Sequence, residues 1–316
     1  MKKLFCIFVL MISLLSLTSC RSQVLEKAQE TTKQYNEQLT QYKEKTSEYN
    51  QAVEQITKVN KDIEDEINKA QTAIDKGETP FDEKTLTTLK DSMGKADKVK
   101  ASVPEKLPEY KEMKVDEEAK TDDIKAMIEK AEEDMEAMEK CEVPETPAIP
   151  DASKEIKTLS ADLKAYEDSI QSLKQVTAPS DDFIKSRLKT IKTITAIDAV
   201  TEDHDPNGQL NKQGGYIGCT YFADKRIDRS ELYIEDGKDN VIDIGTEGGG
   251  AIEVFNTKEE AEVRDSYLGG FDGMGSMSSG SHHVIGTIII RTSTQFKASE
   301  QNKLTEDITK ALTKVE

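Results

Sequence analysis

From Leu25 onward, places spaced alternately three and four residues apart carry apolar or aromatic side chains: Leu25, Ala28, Tyr35, Leu39, Tyr42, Tyr49, Val53, Ile56, Ile63, Ile67, Ala70 and Ile74. Thr32, Thr46 and Asn60 fill the remaining places in that series. The period is that of a heptad repeat, and the Lys, Glu, Gln and Asn between them keep the other faces in water, so the spacing predicts one coiled-coil helix over 24–76. At 1.5 Å per residue it is about 80 Å long. Tyr35, Tyr42 and Tyr49 recur at one seam position, where an aromatic stripe reads as core before it reads as a ligand site. Asn60 has two readings, a residue that fixes register or partner number and a tolerated polar gap.

Gly77 and Pro80 end this helix, glycine suiting the left-handed C-terminal position and proline a break or a new first turn. A second helix is expected over 82–101 on Leu86, Leu89, Met93 and Ala96, stopped by Pro104 and Pro108. A third runs from near Asp116 to Cys141 on Ile124, Met127, Ala131, Met135 and Met138. Pro144, Pro147 and Pro150 make 143–150 a semi-rigid, non-helical spacer. A fourth stripe follows on Ile156, Leu159, Leu163, Tyr166, Ile170 and Leu173. None of these stripes can be buried alone. The short proline-bounded turns favour an antiparallel, thin bundle, and a parallel dimer through the first helix is the competing arrangement.

After Ala178-Pro179-Ser180 the heptads stop and glycine and β-branched residues appear. Asp181 can cap a short helix on Ile184, Leu188 and Ile191. Candidate strands follow over 194–201, 216–223, 241–244, 251–255 and 283–292. Asn256 is expected to cap a helix through Tyr267, and 298–315 closes the chain as an amphipathic helix on Leu304, Ile308, Ala311, Leu312 and Val315. The expected fold class is α+β: an elongated helical coiled-coil or bundle stalk, then a small domain with a mainly antiparallel sheet and a split βαβ centre. The organisation read from this is a signal segment over 1–19, a stalk over 20–177 and an α+β module over 178–316.

The N-terminus changes the picture. Lys2 and Lys3 precede an apolar run from Leu4 to Leu17, which is a secretory signal too short to span a bilayer needing about 20 apolar residues. Leu17-Thr18-Ser19-Cys20 resembles the lipobox of bacterial lipoproteins. The resemblance implies cleavage before Cys20 and diacylglyceryl attachment to its thiol. Two acyl chains such as palmitate then anchor the chain to the membrane, since stable attachment takes two. The formal charge is −18, and losing Lys2 and Lys3 makes it more negative. Such a surface repels nucleic acid and anionic lipid alike. Of four cysteines, Cys6 leaves with the signal and Cys20 carries lipid, so Cys141 and Cys219 remain, without metal-ligand spacing. They could bond in an oxidising compartment, and two free thiols is the favoured reading.

The blocks Ala199-Val200-Thr201-Glu202-Asp203-His204-Asp205-Pro206-Asn207-Gly208, Gly214-Gly215-Tyr216 and Gly245-Thr246-Glu247-Gly248-Gly249-Gly250, with Phe271-Asp272-Gly273 and Arg291-Thr292-Ser293, resemble a module of secreted and lipid-anchored Gram-positive proteins. Some of these carry extracellular-matrix-binding labels, so the resemblance implies a place in the cell envelope rather than a reaction.

Asp203, Asp205, Asn207 and Gly208 match the first half of an EF-hand-like calcium loop, and they are the candidate metal ligands. Gly214 stands where that loop needs a bidentate Glu, and Pro206 stiffens its middle. A loop whose Asx side chains bond its own backbone is the other reading. Gly248-Gly249-Gly250 precedes a strand and reads as a turn. Arg264 and Arg291 with Glu253 either line a groove or pair as ions. No nucleophile, base and orienting residue assemble from the sequence, so no enzyme and, calcium apart, no cofactor is expected. The expected function is a surface lipoprotein whose stalk displays a binding module to an envelope or extracellular protein or polymer, with self-association through the stalk as an open arrangement. A calcium or ligand sensor is the alternative, and an envelope enzyme the third.

Overall fold

The computed structural model describes residues 21–274 and 278–315; the signal segment and Cys20 lie outside them. Among the described residues the chain is α+β, with eight α-helices and one five-stranded antiparallel sheet. It divides into two compact units, the described residues of Met1–Ile63 with Val99–Ala152, and Glu64–Lys98 with Ser153–Glu316. The helix α1 (Arg21–Asp75) contributes to both.

In the first unit the seam of α1 is buried in its own chain. Val24 and Ala28 pack on Ile124 and Ile128, and Tyr35, Leu39 and Tyr42 on Ala131 and Met138 of α3 (Thr121–Lys140). Helix α3 begins later than Asp116, because Asp116 accepts the Glu118 amide in a local turn (3.0 Å).

The residues after Val99 are the departure from expectation. They form neither helix nor strand through Val115, and their half-buried positions recur every third residue: Ala101, Pro104, Leu107, Tyr110 and Met113. A period of three is that of polyproline II, whose backbone makes no hydrogen bonds of its own. Here α1 supplies them. Asn36, Asn50 and Asn60 each donate Nδ2 to a carbonyl, those of Met113 (2.9 Å), Leu107 (3.2 Å) and Ala101 (2.7 Å). Each Oδ1 accepts the amide of the same residue, at 3.0, 2.9 and 3.1 Å. Between these clamps the hydroxyls of Tyr35, Tyr42 and Tyr49 donate to the carbonyls of Lys111 (3.0 Å), Pro108 (2.9 Å) and Glu105 (3.1 Å). The two ladders match because seven helical residues rise about 10.5 Å and one three-residue polyproline turn about 9.3 Å. Asn60 thus sets the register of a segment of its own chain.

In the second unit α2 (Lys84–Asp97) packs on α4 (Ser153–Gln175) through Leu89 and Ala96, with Ser92 donating to Asp162. The second helix ends at Asp97, not at residue 101. The sheet runs β1 (Ile194–Ala199), β2 (Gly218–Asp224), β3 (Gly249–Val254), β5 (Ile288–Thr292), β4 (Ser281–Ile285), with every neighbour antiparallel. β3 and β4 are each antiparallel to the β5 that lies between them and so run parallel to each other, joined through α7 (Lys258–Gly269), which is the split βαβ centre expected from the sequence. Residues expected as one strand over 283–292 are a hairpin: Gly286 takes positive φ (56°) and leaves a two-residue loop between Ile285 and Ile288.

One sheet face packs on α5 (Asp181–Leu188) and α8 (Ala298–Thr313) through Phe222, Ile252, Ile290, Ile184, Leu304 and Ile308. Val176, just past α4, belongs to that core, and its carbonyl accepts the Thr287 amide (2.9 Å). Helix α5 is capped by Ser180, whose hydroxyl accepts the Phe183 amide, rather than by Asp181. The other face carries Cys219, Tyr221, Ala251 and Ile289 beneath α6 (Val241–Ile244) and α7 (Lys258–Gly269). The segment 241–244 was expected as a strand; it is one helical turn because the Asn240 side chain accepts the amides of Ile242 and Asp243. Thr257, not Asn256, caps α7, its hydroxyl accepting the Glu260 amide.

Candidate functional site

The charged centre of the module lies on the α7 face of the sheet. Alternation along β3 turns Ala251 and Glu253 to that face, and Glu253 is fully buried. Arg264, nearly two turns into α7, donates Nε and Nη2 to the two Glu253 oxygens at 2.8 and 3.0 Å. Arg291 of β5 donates Nη1 to the same carboxylate at 2.8 Å. Burial pushes the Glu253 carboxyl upward, but the two guanidiniums outweigh it and hold it below the ordinary range. Of the two sequence readings for these residues, ion pairing is what the geometry contains. Glu247 is not part of it: its carboxylate accepts the Gln295 amide (3.0 Å).

Cys219 and Tyr221 neighbour this triad on β2. Burial is the main cause that pushes both their pKa values up, with the Glu253 charge adding to it, so thiol and phenol stay protonated. Cys219 is fully buried, and it and Cys141 are free cysteines. His282 on β4 has Nδ1 2.5 Å from Asp265 of α7 and Nε2 3.4 Å from Asp272. Both ring nitrogens therefore face carboxylates, which pins β4 to α7 and leaves neither nitrogen facing a nucleophile. His283 points the other way and is exposed.

The loop of the candidate calcium ligands is closed on itself. Asp205 accepts the amides of Asn207 (3.1 Å), Gln209 (2.7 Å) and Leu210 (2.8 Å) and the Tyr216 hydroxyl (2.5 Å). Burial raises its pKa, and these bonds, Tyr216 foremost, bring it below the usual value. Asn207 donates Nδ2 to the Tyr221 hydroxyl (2.7 Å), while Asp203 is exposed. His204 meets Asp243 at 2.7 Å. No group of three or more His, Cys, Asp or Glu that could hold a metal occurs among the described residues. Gly249 and Gly250 are strand residues rather than a turn: a Cβ on Gly250 would lie 2.4 Å from the Phe222 ring and 2.2 Å from the Arg291 carbonyl. Glycine is there to let a core ring and a neighbouring strand approach.

The sequence reading overlooked the outer face of α7. Val263 and Tyr267 are 71% and 59% exposed, and Met274 beyond the helix is 53% exposed. Phe271, just past the helix, sets its ring edge-on to Tyr267 at 5.2 Å. The stacking of the Arg264 guanidinium over Tyr267 (5.4 Å) ties this stripe to the buried triad below. The signal was there in the four-residue spacing of 263, 267 and 271. The inner pair Ala261 and Leu268 had already claimed the helix's apolar side. A small cleft of about 250 Å³ lies elsewhere, between β1, α6 and Arg229. Compared with protein-family models, curated proteins and solved structures, the chain matches none of them.

Proposed function

We propose that the chain is a lipid-anchored protein of the bacterial cell envelope, in which a helical stalk carries an α+β binding module outside the cytoplasmic membrane. The observation that carries this reading is the junction of Leu17-Thr18-Ser19-Cys20 with α1, whose described part starts at Arg21. Lipidated Cys20 is then followed at once by a helix. Burial of the α1 seam against residues of the same unit favours a monomeric stalk over a parallel dimer. The module's polar clusters support binding rather than catalysis, because the Glu253 carboxylate and both His282 nitrogens are engaged within the fold. Its partner is an envelope or extracellular protein or polymer.

The test is expression in a bacterial host with an alkyne-tagged fatty acid. The wild-type chain should take up label and sediment with membranes, and Cys20→Ala should do neither. A Cys20→Ala chain that still sediments with membranes would refute the anchor.

A further inference from the structure

From the outer face of α7 we infer a docking surface for a basic segment of a partner protein that bears aliphatic anchors. The inference rests on the reading of this module as a binding module and specifies its surface and partner. Among the described residues seven large hydrophobic side chains are exposed; two of them, Val263 and Tyr267, lie one turn apart on α7 and continue into the half-buried Phe271, and a third, Met274, follows in the turn after it. Exposed apolar residues scattered singly need no explanation, whereas a contiguous row does. Tyr267 is held in place before any partner arrives, stacked under Arg264 and braced by Phe271. Arg264 is itself fixed by the buried Glu253. A rigid, half-exposed tyrosine loses little entropy on binding, which is why tyrosine is enriched among the residues that dominate interfaces.

Charge selects the occupant. Exposed Glu259 and Glu262 accompany the stripe on α7 and exposed Asp272 follows Phe271, whereas Asp265 lies on the opposite side of the helix, turned to His282. Lys258 lies at its start, already paired with Glu262 at 3.4 Å, and the Arg264 charge is spent on Glu253. The rim is therefore acidic. A second copy of this face or an anionic membrane would be repelled, and a partner with Lys or Arg flanking Leu or Ile anchors would be attracted.

The experiment uses the chain from residue 20 onward with Cys20→Ala, so it is blind to lipidation. Failure here leaves the anchor standing, and failure of the anchor leaves this surface standing. Fluorescence anisotropy is read with two helical probes, one of repeated Leu-Lys-Lys-Leu blocks and one of Leu-Glu-Glu-Leu blocks. The basic probe should bind and the acidic one should not. Tyr267→Ser should weaken the basic probe by about tenfold or more, with an unchanged circular dichroism spectrum because the residue is exposed. Glu259→Lys with Glu262→Lys should weaken it and flatten its salt dependence. Binding left intact by Tyr267→Ser, or no binding of the basic probe, overturns the inference. So does a dimer in sedimentation, or co-sedimentation with phosphatidylcholine vesicles, that Tyr267→Ser abolishes, since the occupant would then be a second copy or a membrane.

Discussion

Replacing Asn50 with leucine tests the ladder that fastens residues 101–113 to α1. The substitution removes both bonds to Leu107, the 3.2 Å donation to its carbonyl and the 2.9 Å acceptance of its amide. Leu107 is half-buried, so the freed groups regain part of their hydration. Each bond then counts at its net value of about 0.5–1.5 kcal/mol, for a local loss of about 1–3 kcal/mol. The assay is native-state amide hydrogen exchange. Polyproline II offers the Leu107 amide no partner within its own segment, so its protection should fall by about 5- to 150-fold, the equivalent of that free energy. The clamps at Ala101 and Met113 lie six residues away on either side, roughly 19 Å at 3.1 Å per residue, and should change little because separated sites act independently. Asn50→Asp separates the two bonds, since a carboxylate still accepts the amide but cannot donate. It should retain most of the Leu107 protection. Equal exchange at Leu107 in wild type and Asn50→Leu would refute the ladder, and so would an Asn50→Asp chain that exchanges as fast as Asn50→Leu.

Two further substitutions test the second unit. Glu253→Gln leaves the guanidiniums of Arg264 and Arg291 without their buried counter-charge and should destabilise this unit by about 3–5 kcal/mol in chemical denaturation at neutral pH. The folded pKa of Glu253 lies below the ordinary 4.5. Its ionic contribution is therefore full above that value and lost as pH falls through the folded pKa, so the gap between variant and wild type should narrow on acidification. A gap independent of pH would reject the ionic account. Asp181 has the opposite sign, because burial raises its pKa above 3.8 and the Thr220 hydroxyl bond and the Lys185 charge only partly offset this. Its ionisation opposes folding once pH exceeds the raised value, so Asp181→Asn should melt higher than wild type at pH 7. The two should converge below pH 3.8. A lower melting temperature for Asp181→Asn at pH 7 would show that its charge at the start of α5 outweighs its burial.

How much of this was legible depends on which periods the chain repeats and which it interrupts. The long helices were readable because a 3.6-residue period sustained over many turns has no local competitor, and α1, α3 and α4 fall close to their expected spans. Single residues decided the misread elements. Gly286 cuts an unbroken β-branched run into a hairpin, and the Asn240 cap turns Val-Ile-Asp-Ile, strand-like in composition, into helix. At the module's charged centre, the sequence supplied Glu253, Arg264 and Arg291 as a set but not their depth, because burial of Glu253 follows from its place on a central strand beneath α7.

The α1 seam is a different case, since its period and one occupant, the helix α3, were read correctly and its second occupant, the extended segment 101–113, was not. A heptad repeat states that something apolar recurs opposite it about every 10.5 Å, and a neighbouring helix and a polyproline turn of about 9.3 Å both satisfy that spacing. What separates them is the polar content of the seam. A second helix has its amides bonded internally and offers a side chain on α1 only the spare lone pair of a carbonyl, as Met135 of α3 does to Gln38 (2.6 Å), whereas a polyproline backbone leaves both its amides and its carbonyls free. Tyr35, Tyr42 and Tyr49 with Asn36, Asn50 and Asn60 form a polar complement suited to the second case. The matching threefold series Ala101, Pro104, Leu107, Tyr110 and Met113 lies in the sequence after the second helix. Tyrosine at a seam with asparagine in it or beside it, read together with a threefold apolar repeat elsewhere in the chain, identifies the partner that the heptad alone leaves undetermined.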